Sequence, residues 1–442
     1  MKFEVVLILI PLLLIPTHIH VDKQSQIVEF IYFEKLTIVN NGSIPVALED
    51  HYRYSTLFIN TSSQVCFLIN STPSIVRFFR DEDEMLNIEF NITKTIKPYS
   101  YVQMSTTHKI IVFKNPKPPE NLNVKNSGTL MDIPGNLRNY TTSVGAWAYN
   151  SIWMTYLRDK AFELKGDDEN VLSIVLKFID WIGRNVKYPE KPLEGPLYPN
   201  ETIPNEKIQK GDLGIGDCDD QASLLITLCR SVGIPAYLQY GCIHFKNMKY
   251  YEDFINGHIK YRYHYIGWHG WAIIYIPPWG WLPVDLTWGY LLTRNPMDAI
   301  MRAAVYQCWE VGIPIFIHGN IINSDHVKIN REIKMKIENS SIYIYIDNIL
   351  IPVDESLNIE IEKLPRIPLI QETHTTNTYE FYTTSKLVEY NNTKSTVSKP
   401  EEQINTMIIV ILSIALLVSL YIVLRRKHLN RNDLQPVINS KP

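Results

Sequence analysis

Three side chains in this sequence are of the types and spacing that acyl transfer requires. Cys218 stands in Gly216-Asp217-Cys218-Asp219-Asp220-Gln221-Ala222, His269 in Trp268-His269-Gly270-Trp271, and Asp285 in Leu282-Pro283-Val284-Asp285-Leu286-Thr287-Trp288. A thiol that opens a helix faces unpaired backbone N–H groups and the positive end of the macrodipole, which favour the thiolate. A histidine can take the thiol proton and return it to a leaving group, and an aspartate can fix the ring's tautomer. Cys218, His269 and Asp285 are therefore the candidate nucleophile, proton shuttle and orienting group of a thiol enzyme.

The elements that must position them are a helix and a hairpin. Asp217 is a good N-cap, which makes Cys218 the first helical residue and sets Ala222, Leu225 and Cys229 on its face. Gly233 followed by Pro235 ends the helix. Asp219 and Asp220 are expected to project away from that face, which weakens their like-charge opposition to the thiolate. Trp271 to Ile276 and Trp281 to Leu286 read as strands joined by Pro277-Pro278-Trp279-Gly280. A turn centred on Pro278 sets Asp285 opposite Trp271 and diagonal to His269, on the same face, within reach of the ring. A shift of one residue separates them.

Several motifs in order carry a family resemblance. The run Gly216 to Leu225, then Leu228-Cys229-Arg230-Ser231-Val232-Gly233-Ile234-Pro235-Ala236, then His269-Gly270-Trp271 and Gly280 to Thr287, resembles the transglutaminase-like superfamily of papain-related enzymes. The likeness extends over about Asp168 to Tyr290, with Asn185-Val186-Lys187-Tyr188 in the place of the segment before the cysteine loop. It implies an α+β, papain-like core and assigns the triad to Cys218, His269 and Asp285. Gly270 stands where the family often has Ala. The Cys218 backbone N–H supplies one oxyanion donor, and the sequence assigns no second.

The flanking regions give the expected organisation. Residues 1–21 read as a signal peptide or N-terminal anchor, because Met1-Lys2 precedes the apolar run Val5 to Ile15. Short β-rich runs with turn signals predict a β-sandwich over 22–114, and Asn115-Pro116-Lys117-Pro118-Pro119 opens a linker at 115–139. The transglutaminase-like domain is expected over 140–325, with helical periodicity in Thr142 to Lys165, Asp168 to Val186 and Met297 to Cys308. Ile333 to Ile337, Ile342 to Ile346 and Leu357 to Ile361 alternate like strands and predict a small β appendage at 326–370. A Thr/Ser/Asn-rich stalk follows at 371–403, then a transmembrane helix at 404–424 and a basic cytoplasmic tail at 425–442. Met407 to Leu424 is free of charge, and its 18 residues span about 27 Å as a helix. The basic tail beyond it orients the catalytic region outside the membrane.

Composition narrows the function further. With 45% hydrophobic residues in 442, the chain can build two or three cores, and a net charge of -3 with scattered basic residues leaves no nucleic-acid footprint. Sequons begin at Asn41, Asn60, Asn70, Asn91, Asn139, Asn200, Asn339 and Asn391, with none between Glu201 and Asn330, as suits an exported chain with an uncluttered site. Of five cysteines, an odd number, Cys218 is the one to remain a free thiol. His244, His258 and His264 have no metal-ligand spacing, so neither metal nor cofactor is expected. The reading is a membrane-anchored, cell-surface cysteine protease, amidase or protein-glutamine acyltransferase acting on protein or peptide, cell-envelope protein included. A glycan-removing amidase is a further enzymatic option. The alternative from another class is a non-catalytic surface binding or scaffold protein on the same fold.

Overall fold

A computed structural model describes residues 27–364. The segments read as a signal or anchor, stalk, membrane helix and basic tail lie outside the described residues, together with 22–26 of the expected sandwich and 365–370 of the expected appendage. Among the described residues no helix is long and apolar enough to cross a membrane.

Eight strands build the main sheet. They are β1 (Val28–Asn40), β2 (Gln64–Thr72), β3 (Ser100–Val112), β4 (Ala236–Phe254), β5 (Ile259–Ile276), β6 (Gly280–Val284), β7 (Ile315–Ile321) and β8 (Ile342–Pro352). Their order is β7-β4-β5-β8-β1-β3-β2, with β6 paired to β5. Only β5 and β8 run parallel. The two ends of this path meet: Gln64 Nε2 donates to the Ile317 carbonyl at 2.7 Å and Ile317 N donates to Gln64 Oε1 at 3.0 Å. Ile59 N adds a bond to the His318 carbonyl at 3.1 Å. The sheet thus curls on itself around Phe30, Tyr32, Ile110, Cys242, Phe316 and Leu350, which share one buried cluster.

Helices cover the β5–β6 end. In α2 (Val171–Asn185) the predicted stripe Val171, Ile174, Val175, Phe178 and Ile182 is fully buried, each side chain contributing about 1.5–3 kcal/mol. Asn170 caps it, accepting from Ser173 N at 2.9 Å. Together with α1 (Thr155–Lys165) it packs on α3 (Cys218–Ser231), and all three share a core with Ala272 and Ile274 of β5 and Val284 of β6. In the stretch from Thr142 a 3-10 turn at Gly145–Trp147 precedes the α-helix, which begins only at Thr155, and the run from Met297 divides into Asp298–Met301 and α4 (Ala304–Glu310).

The structure redraws the two flanking β regions. The N-terminal strands do form a second layer, since Tyr54–Thr56, Ile75–Arg80 and Leu86–Phe90 make a small sheet over Ile38, Ile88, Phe90, Met104 and Ile344. Yet β1, β2 and β3 belong to the main sheet, so 22–114 is not a sandwich standing apart. The expected appendage dissolves likewise: β8 is inserted between β5 and β1, in register with β1 from Phe30↔Pro352 to Asn40↔Ile342. A long strand with two bare edges must find partners, and alternation alone does not say which. Ile333 to Ile337 is not a strand but the end of α5 (His326–Ile337), where Val327 and Ile337 are buried and Asp325 accepts from Lys328 N. Leu357 to Ile361 is likewise helical, within Leu357–Glu362.

Where β1, β5 and β8 meet, the fully buried Asp347 faces Lys35 at 3.2 Å and Arg262, whose Nη2 lies 2.6 Å away. Asp347→Ala would leave two cations in the sheet without their shared carboxylate. A loss of about 3–5 kcal/mol in urea unfolding is expected.

Candidate active site

The loop that delivers Cys218 is fixed before the helix begins. Val186–Lys187 pairs in parallel with Gly214–Ile215, and Gly216 N donates to the Lys187 carbonyl at 3.2 Å. Gly216 must lack a side chain, because a Cβ there would lie 2.7 Å from Thr202 Cγ2 and 2.8 Å from Asp220 Cβ. Gln221 Nε2 holds the Gly216 carbonyl at 2.8 Å. The helix then starts at Cys218, as its sequence predicts, within a capping box: the Asp217 side chain faces the Asp220 N–H, while Asp220 Oδ2 accepts from Asp217 N at 3.2 Å, and Asp220 Oδ1 from Leu197 N at 2.7 Å. Asp220 is turned inward because it ties the Pro-rich segment to the helix start.

Ala222, Leu225 and Cys229 are buried as expected, but so is the rest of α3 from Asp220 onward. Arg230 explains how a polar face is accommodated. Its guanidinium donates to the carbonyls of Ala236, Thr142 and Ile322 and lies 4.5 Å over the Trp147 ring. Sequence reasoning passed over it, since an arginine in the last turn of a helix is ordinarily solvated.

The hairpin register is the one the Pro278 turn requires. Ala272 pairs with Val284 and Ile276 with Gly280, so the next step sets Asp285 opposite Trp271. His269 Nε2 lies 2.7 Å from Asp285 Oδ2. The carboxylate also accepts from Thr287 N, Thr287 Oγ1 and Trp288 N on Oδ1 and from Ala304 N, the start of α4, on Oδ2. Asp285 is only 1% exposed. Burial works against its ionisation, yet His269 and the Trp288 and Ala304 N–H groups outweigh it and hold the carboxyl below its ordinary range. An ionised Asp285 only accepts, so Nε2 carries the proton of this pair and Nδ1 keeps a lone pair. Trp271 and Trp288 wall the ring, at 5.8 and 6.1 Å between centroids.

Cys218 meets this pair through the neighbouring backbone. The Gly270 N–H, one residue past His269, faces the sulfur and favours its thiolate. Glycine at 270 permits the approach, since a Cβ there would come within 3.1 Å of Asp219 Cβ. Among the described residues no direct bond joins the thiol to the imidazole, a spacing that substrate binding commonly tightens.

The electrostatics differ from the expected ones. Asp219, which helical geometry places away from the thiol, has Oδ1 3.8 Å from Sγ. Burial, then Asp219 and Asp217, push the Cys218 thiol well above its ordinary range, with the Gly270 N–H pulling the other way. Burial and the charges of Asp219 and Asp220 push Asp217 up to about 10, and burial and Asp219 push Asp220 up to about 7. Asp217 is therefore largely protonated near pH 7, and its charge adds to that of Asp219 only at the higher pH where the thiol itself ionises. Cys218 rests as a thiol.

The remaining candidates fall elsewhere. His244 packs on Phe30, His258 Nδ1 bonds the Ile342 carbonyl at 2.7 Å, and His264 lies 3.7 Å from Glu360, so they share no centre. Among the described residues, Asp217, Cys218 and Asp219 are the one group with metal-ligating atoms within 4.8 Å of one another. All five cysteines are free thiols.

The charge of Asp219 makes a direct prediction. Asp219→Asn should lower the thiol's pKa and speed iodoacetamide alkylation of Cys218 at pH 7 severalfold. A pH profile of alkylation checks it, and an unchanged profile contradicts it.

One stretch of the chain matches a known protein family. The family model of the transglutaminase-like superfamily matches residues 158–286. Solved structures similar to this chain include a candidate cysteine protease of Cytophaga hutchinsonii, at 16% identity and TM-score 0.39 over 75% of this chain and 93% of that one. A candidate protease of Parabacteroides distasonis is similar at 9% identity and TM-score 0.22, over 62% of this chain and 64% of the other. Red sea bream transglutaminase is similar at 9% identity and TM-score 0.23, over 60% and 48%. No curated protein sequence matches significantly. Residues 158–286 thus carry the likeness to the transglutaminase-like superfamily.

Proposed function

We propose that this chain is a thiol enzyme acting on amide bonds of proteins or peptides, with Cys218 as nucleophile, His269 as proton shuttle and Asp285 as the group that orients it. The observation that carries this reading is the His269–Asp285 bond of 2.7 Å, built on a buried, fully hydrogen-bonded carboxylate beside the helix that Cys218 opens. A structural histidine needs no ionised partner of this kind, whereas a proton shuttle does.

The chemistry follows from the protonation states. His269 Nδ1 takes the thiol proton as sulfur attacks the amide carbon, and the C=O electron pair moves to oxygen. Asp285 stabilises the imidazolium that results. Collapse expels the amine, which receives the proton from His269, and leaves a thioester on Cys218. Water releases an acid from that thioester, and a primary amine gives a new amide. Proteolysis and crosslinking share every step before this acceptor.

The location belongs to the same proposal. The apolar segments at both ends and the basic tail support a membrane-anchored protein with its catalytic domain outside the cell. The sequon residues Asn60, Asn70, Asn91, Asn139 and Asn339 are exposed, as glycan acceptors must be, while Asn41 and Asn200 are partly covered. Cell-envelope protein is then the nearest substrate.

The test uses unfolded casein with a fluorescent primary amine, and reads new amino termini and amine incorporation together. Wild type should give one or both signals, Cys218→Ala neither, and Asp285→Asn a rate lower by about 10³–10⁴-fold. Equal signals from wild type and Cys218→Ala contradict the proposal.

A further inference from the structure

The triad as built lacks one part. A tetrahedral intermediate places negative charge on the former carbonyl oxygen, and a pocket lined by Asp219 and Asp217 is a poor place for it unless donors face it. The Cys218 backbone N–H, first in α3 and free of any intrahelical partner, is one. We propose that the hydroxyl of Tyr188 is the second donor of the oxyanion hole. This rests on the reading of Cys218 as the nucleophile.

The register places Tyr188 there. Val186 pairs with Gly214 and Lys187 with Ile215 in a parallel ladder, and the Gly216 N–H to Lys187 carbonyl bond extends it. One step further lie Tyr188 and Gly216, two residues before Cys218. The strand ends at Lys187, and Tyr188 is exposed like Lys187, so its ring stands at the open edge of the loop that delivers Cys218.

The ring is 44% exposed, as a group that meets substrate must be, while its hydroxyl end feels the site. Burial first, then the charge of Cys218, then Asp217, Asp219 and Asp220, raise the phenol far above its ordinary range. The hydroxyl is thus neutral, and a donor, at every working pH. It makes no hydrogen bond to another described residue. Asp217, the other protonated group nearby, has Oδ1 sealed from solvent and out of reach of a substrate.

The step balances simply. The sulfur–carbon bond forms, the carbonyl π pair becomes the oxyanion held by Cys218 N–H and Tyr188 O–H, and the thiol proton resides on His269. On collapse the pair returns to the C=O bond, the C–N bond breaks, and the amine leaves with the proton from His269. Tyr188 lends a hydrogen bond throughout and transfers nothing.

The experiment compares two reactions of one thiol in the full-length chain. Acylation by p-nitrophenyl acetate passes through an oxyanion, whereas alkylation by iodoacetamide does not. Tyr188→Phe keeps the ring, and it should slow acylation about 10²-fold or more while leaving alkylation within about twofold of wild type. Acylation at the wild-type rate, or a parallel fall in both reactions, overturns the assignment. If Cys218→Ala releases p-nitrophenolate as fast as wild type, the nucleophile itself is wrong, an outcome distinct from either.

Discussion

The site depends on one buried carboxylate. Asp285 sits where water cannot solvate it, and five donors from three parts of the chain replace that water: His269 Nε2, Thr287 N and Oγ1, Trp288 N and Ala304 N. Each donor fixes an element. The histidine fixes the β5–β6 register, Thr287 and Trp288 fix the turn after β6, and Ala304 fixes the start of α4. Burying an ionised group costs several kcal/mol unless its hydrogen bonds are complete, so none of these elements can shift without exposing that cost. The strain-free solution is a histidine whose Nδ1 is left free beside the nucleophile's helix.

That helix brings a thiol together with three acids, and the charge is managed by protonation. With Asp217 neutral and Asp220 turned toward Leu197, Asp219 is the carboxylate nearest the sulfur. A thiol held protonated by burial and a like charge is not a standing ion pair with histidine. In the proposed mechanism it ionises as its proton moves to His269, whose positive charge Asp285 favours. The Gly270 N–H on sulfur acts in the same direction as the helix terminus, both stabilising the thiolate once formed.

Much of this was legible in the residues. The hairpin register followed from the turn length, because a period of two allows one same-face solution for His269 and Asp285. The stripe of α2 and the start of α3 followed from apolar spacing and from Asp217 before Cys218. The departures have physical causes. Asp219 lies closer to the thiol than an ideal helix puts it, since Asp220 is pulled inward to bind Leu197 N and the first turn adapts. Ile329, Ile333 and Ile337 fit a helical period of four as well as Ile333 to Ile337 fit alternation, and burial of Val327 and Ile337 decides for the helix. The union of β1, β2 and β3 with the domain's sheet rests on pairs such as Gln64 and Ile317, 253 residues apart, for which local pattern holds no signal.

The central claim is that Asp285 holds His269 with its proton on Nε2 and a free lone pair on Nδ1 toward the thiol. Nitrogen NMR of the chain labelled with ¹⁵N-histidine, assigned with a His269→Gln control, reads this tautomer directly. For the neutral ring the account predicts a protonated Nε2 in a strong hydrogen bond and an unprotonated Nδ1, a pattern that Asp285→Ala abolishes. A neutral ring with its proton on Nδ1 would contradict it, because that Nδ1 could not accept the proton of Cys218.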